Sequence, residues 1–76
     1  MTDRILPKPS EEVSPLSHRE CEVLTCLADG KNHAQAADTL NIAERTILYH
    51  VASARTKLGC RTRVETVAKA IRLGLI

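Results

Sequence analysis

The sequence predicts an all-α fold, a small four-helix domain, and three observations carry that expectation. The chain has no Phe, no Trp and a single Tyr. Its core is therefore aliphatic and alanine-rich, which suits closely packed helices better than a sheet of aromatic and β-branched runs. Between residues 42 and 59, Ile47, Val51, Ala54 and Leu58 recur at i, i+4, i+7 and i+11, a narrow apolar stripe at the helical period. Start and stop signals divide the rest: Ser17 and Thr62 are each followed three residues later by Glu, and Gly30, Gly59 and Gly74 punctuate the ends. Seventy-six residues make one small domain, which buries only about 60% of its unfolded surface.

In chain order, residues 1–15 hold all three prolines, two serines and mixed charge without an apolar period, and read as a linker or arm. An arm at the start suggests a further domain before it, although a free-standing protein with a frayed end fits as well. Residues 16–76 form the domain. The first helix spans about 18–29, opened by the Ser17/Glu20 capping box, stapled by Leu16 and stopped by Gly30. Cys21, Leu24, Leu27 and Ala28 share its buried face, with Val23 beside them. The second spans about 33–40, capped by Asn32 with Gln35, and buries Ala36, Ala37 and Leu40. The third spans about 44–58 and closes at Gly59. The fourth, about 63–73, opens on the Thr62/Glu65 box, and Val64, Val67, Ala68, Ile71 and Leu75 are expected to pack it on the domain. Thr66, Ala70 and Leu73 fall on another face of that helix and are the candidate subunit contact. Scattered surface apolars are the plain alternative.

The second and third helices define a motif. A short helix, a tight Leu40-Asn41-Ile42 turn and an amphipathic helix with a polar outer face follow the helix-turn-helix plan, whose second helix lies in the DNA major groove. Asn suits the left-handed backbone such a turn needs. Opposite the apolar stripe stand Arg45, Tyr49, Ala52 and Thr56, and along one flank stand Thr46, His50, Ser53 and Lys57. Charge agrees in its distribution. Residues 1–22 carry five acidic and three basic side chains, whereas residues 45–76 carry seven basic ones against Glu65 alone. A basic second half is the footprint of a phosphate-binding surface, or of a merely solvated face.

Other classes find little support. Cys21, Cys26 and Cys60 are an odd set without a Cys-x-x-Cys pair, which speaks against a disulfide framework or a thiolate zinc site and for small apolar residues in a reducing cytoplasm. No metal site or cofactor is expected. No run approaches the roughly 18 apolar residues of a membrane span, and no signal-peptide core is seen. His18, His33 and His50 lie on different helices without a carboxylate or cysteine at catalytic spacing, so an enzyme is not expected. The rival class is a protein–protein module using the apolar face of the fourth helix.

With these residues in view, the chain resembles the LuxR-type helix-turn-helix family. Leu16-Ser17-x-Arg19-Glu20-x-Glu22-Val23-Leu24, Ala28-x-Gly30-Lys31, Ala37-x-x-Leu40-x-Ile42, Thr46-Ile47-x-x-His50 and Lys57-Leu58-Gly59 match its pattern in order across residues 16–76, with Arg63 where the family often has arginine. Glu44-Arg45-Thr46 and the ending Ala70-Ile71-Arg72-Leu73-Gly74-Leu75-Ile76 look most like the quorum-sensing branch. The resemblance implies a cytoplasmic regulator of transcription, dimeric on double-stranded DNA, bound to the nucleoid, and governed by an N-terminal signal-sensing domain that this chain does not contain. It implies residues 44–58 as the recognition helix and the fourth helix as the dimer contact. Three departures stand out: Gln35-Ala36 where the family commonly has Glu-Ile, Ala43 where it has a capping Ser, and Leu48 where many members have Lys or Arg.

On this reading Thr46, His50 and Lys57 match family positions that touch phosphate, although the His50 ring could instead pack with one nitrogen bonded internally. Ser53 lies with them on the backbone-facing flank and Thr56 on the outer face. Arg45 is placed to pair with guanine and Ala52 to meet a thymine methyl. Tyr49 is a base reader or a surface residue, and Leu48 a base contact or an edge of the core. Lys31, Arg61 and Arg63 sit at helix ends as further backbone contacts or as solvated charges.

Overall fold

The computed structural model describes residues 14–76. Four helices follow in order, α1 (His18–Ala28), α2 (His33–Leu40), α3 (Glu44–Leu58) and α4 (Arg63–Arg72). No strand occurs among the described residues. Apart from Ser14 and Pro15, the arm expected over residues 1–15 lies outside them.

Capping chemistry sets most of the boundaries. Ser17 Oγ accepts the Glu20 amide at 3.1 Å while the Glu20 carboxylate accepts the Ser17 amide at 2.9 Å, so the first box is complete. Asn32 and Gln35 repeat the arrangement at 2.8 and 2.9 Å. Thr62 Oγ1 accepts the Glu65 amide at 3.0 Å, but the Glu65 carboxylate turns one residue back and accepts the Arg61 amide at 2.7 Å. The expected second box is thus only half formed. α3 starts at Ala43 with no side-chain cap. Asn41 occupies the left-handed region at φ 58°, ψ 47°, which lets the chain reverse between α2 and α3 without a glycine.

α3 is the hub: it packs against α1, α2 and α4, and its stripe divides the core into two halves. Ile47 and Val51 meet Val23, Cys26, Ala36 and Ala37. Ala54 and Leu58 meet Leu16, Leu24, Ala70 and Leu75. Ala36, Ala54 and Ala70 are fully buried, and their small side chains let the helices approach closely. At its far end α3 is closed by a side chain from α4, whose Lys69 ammonium donates to the Leu58 carbonyl at 2.8 Å.

The faces of α4 differ from the expectation. Thr66 and Ala70, read as an outward subunit contact, are fully buried against the domain, whereas Val64, Ala68 and Ile71, expected inside, are exposed. Leu73 stays exposed and Leu75 is buried as expected. The reason is local. Thr66 Oγ1 donates to the Thr62 carbonyl at 2.7 Å, so its hydroxyl enters the core already satisfied. Ala70 gives the close approach that Ile71 would obstruct. On α1, Ala28 is exposed while Glu20 and Cys26 are buried.

Candidate nucleic-acid interface

The outward face of α3 is left uncovered by the other helices. Arg45 in its first turn is exposed, followed by Leu48, Tyr49 at 69% exposure, half-buried Ala52, and exposed Thr56. Tyr49, Ala52, Ser53, Thr56 and Lys57 line a shallow depression along this face. Leu48 belongs to the outer row and not to the core edge. Glu44 stands in the first turn, and Arg55 and Lys57 in the last, each sign at the end of the helix dipole that favours it. The row therefore presents donors, one aromatic ring and small apolar groups, the mixture that reads base edges and methyls.

The flank is more structured than a row of free donors. Thr46, His50 and Ser53 are half-buried. The His50 ring packs edge-on against Tyr49, with centroids 5.5 Å apart and planes at 67°. Its Nδ1 is buried without a hydrogen-bond partner among the described residues, so the ring is not held by the internal bond considered from the sequence. Lys57 is tied down. Its Nζ donates to Glu20 Oε1 at 2.9 Å, across 37 residues of chain. Burial raises the Glu20 carboxyl, but the Ser53 hydroxyl beside it, the Ser17 amide and the Lys57 ammonium together outweigh this and lower it to about 2. Glu20 is thus an ionised acid at only 3% exposure, and Lys57 is its counter-charge.

The outlying basic residues separate from this row. Lys31 lines a groove with Arg63, Val64, Val67 and Ile71 of α4, not the depression on α3. Arg63 Nη1 lies 3.2 Å from His33 Nε2. Arg61 is exposed in the α3–α4 turn, its carbonyl accepting from Arg55 at 3.5 Å. Sequence reasoning missed Glu20 as part of this region, because a capping-box glutamate gives no sign that its carboxylate also faces another helix. The three cysteines are free thiols. Among the described residues no cluster of metal-ligating side chains occurs and no helix is long and apolar enough to cross a membrane.

This architecture, an uncovered polar helix held from behind by two short partners through a tight left-handed turn, coincides with a family model described as bacterial regulatory proteins, luxR family, matched over residues 14–70. The chain belongs to that family. It is similar to the quorum sensing-dependent transcriptional regulator RpaR of Rhodopseudomonas palustris, 43% identical over 70 residues that make up 92% of this chain and 28% of that protein. It is 39% identical to the transcriptional activator protein SolR of Ralstonia nicotianae over the whole of this chain and 33% of SolR. The transcriptional activator RamA of Corynebacterium glutamicum is 35% identical over 95% of this chain and 26% of its own length. The chain therefore spans about a third or less of these relatives.

Proposed function

We propose that this LuxR-family chain is the DNA-binding part of a transcription regulator acting on chromosomal DNA in the bacterial cytoplasm, with α3 entering the major groove. One observation carries the reading: α3 buries its whole apolar stripe yet leaves Arg45, Leu48, Tyr49 and Thr56 exposed, with half-buried Ala52 between them. Arg45, Leu48, Tyr49, Ala52 and Thr56 face the groove, while Thr46, His50, Ser53, Lys57 and, from the adjacent turn, Arg61 lie toward the phosphates. Base contacts of this kind specify and phosphate contacts position. Lys31 is the weakest member, since it accompanies α4. The similarity to RpaR supports a quorum-sensing type of regulator.

The exposed Val64, Ala68, Ile71 and Leu73 favour pairing of two copies on the outer face of α4, in place of the Thr66/Ala70 contact that burial excludes. Gel-shift titration against a random duplex pool at several salt concentrations tests the DNA reading. Binding with a linear fall of log K against log salt, about 0.9 per phosphate neutralised, and enrichment of a two-part site are expected. Salt-independent capture of all duplexes alike, or none, overturns it. For the pairing, Ile71→Glu is expected to leave the fold intact and abolish association in sedimentation on DNA, and unchanged association overturns it.

A further inference from the structure

Glu20, buried on α1 behind the DNA-facing row, is bonded directly to the flank of α3. Its Oε1 accepts two donors, the Ser17 amide and the Lys57 ammonium, each at 2.9 Å. One bond therefore finishes the cap of α1, and the other reaches across the helix interface to α3. An ammonium has three N–H donors, and the Lys57 side chain keeps 40% of its surface exposed while Glu20 keeps 4%. One donor is thus spent inward and the group is still open outward. Left unpaired, a lysine at that position would sweep its charge over several ångströms on a flexible stem. Here a buried, charged anchor fixes it one helical turn beyond Ser53, on the same flank as Thr46 and His50.

We propose that Glu20, which faces no DNA itself, is a positioning residue for the interface: its buried carboxylate holds the Lys57 ammonium at the edge of α3 where a backbone phosphate runs. This rests on the reading of α3 as the groove-entering helix and adds how its register is set. A fixed phosphate clamp ties the height of α3 in the groove to the base row of Arg45, Tyr49 and Ala52. A loose lysine still attracts DNA, but attracts every register nearly equally. Glu20 therefore governs the ratio of specific to non-specific affinity more than affinity as such.

The test compares two duplexes of equal length, the site the chain selects from a random pool and a scrambled sequence. Glu20→Gln keeps the volume and one acceptor oxygen for Ser17, removes the charge and turns the other oxygen into an amide donor. Specific affinity is expected to fall, on the order of three- to tenfold for one charged contact loosened, while scrambled-duplex affinity does not fall, because the net charge has become more positive. Lys57→Met is expected to weaken both, and in that background Glu20→Gln should leave the ratio where it is. An unchanged ratio in Glu20→Gln, or an equal drop in the Lys57→Met background, overturns the assignment. Should the Gln variant not fold by circular dichroism, Glu20→Asp answers instead. It keeps the charge and withdraws the carboxylate by one methylene, so a lower ratio supports the proposal and an unchanged one overturns it. A parent chain that selects no site at all overturns the groove reading first, and this inference with it.

Discussion

Glu20 also makes a quantitative statement about stability. Its carboxyl is lowered from 4.5 to about 2 in the fold, so the native state favours the charged form relative to the unfolded chain by at most about 3 kcal/mol. The Lys57 half of the pair is partly wetted, and solvent screening brings the expected contribution to about 1.5–3 kcal/mol. Because the folded value lies below the unfolded one, this stabilisation is complete above about pH 4.5. It is lost as pH falls from there through the folded value near 2, the unfolded chain taking up the proton first. Urea unfolding followed by circular dichroism, in the parent chain and in Glu20→Gln, isolates it, since the other carboxyls titrate alike in both. The stability gap between the two is expected to shrink by about 1.5–3 kcal/mol between pH 6 and pH 2. A gap constant to within about 0.5 kcal/mol over that range would refute the reasoning, leaving Glu20 as a cap and nothing more.

Three further outcomes are expected. Ala43→Ser supplies the missing cap of α3 and should stabilise the domain by about 0.5–2 kcal/mol in the same urea assay; no gain would mean that the first turn is satisfied otherwise. Ile47→Ala removes a fully buried side chain from the half of the core shared with Val23, Ala36 and Ala37 and should cost about 2–5 kcal/mol in a marginally stable domain, read as loss of the cooperative transition near room temperature. Arg45→Ala should leave stability and the salt slope almost untouched while relaxing discrimination at one base pair by about 1–3 kcal/mol, measured on single-position variants of the selected site.

Most of the architecture was legible because its signals are local. The α3 stripe of Ile47, Val51, Ala54 and Leu58 is buried as its period demands, and Asn41 takes the left-handed turn between α2 and α3. Ser17/Glu20 and Asn32/Gln35 cap as paired. What periodicity could not settle is which of two apolar stripes on α4 faces inward. Val64 and Ile71 are the larger hydrophobes, but the seam against the domain takes Ala70 and the self-satisfied Thr66, leaving Val64 at 71% exposure. Size lost to fit. At the interface, the outward row could be placed by a helical wheel, whereas the pairing of Lys57 with Glu20 depends on how α1 crosses α3, which no spacing within either segment encodes.

The bond from Lys69 to the last carbonyl of α3 has a mechanical consequence. Only the four residues 59–62 separate α3 from α4, and this second strut braces the same corner. If two copies join back to back along α4, the distance between their probing helices becomes a gauge of set length with little give. Adding roughly half a turn of duplex between half-sites would then rotate one of them out of reach, and the assembly would let go rather than stretch.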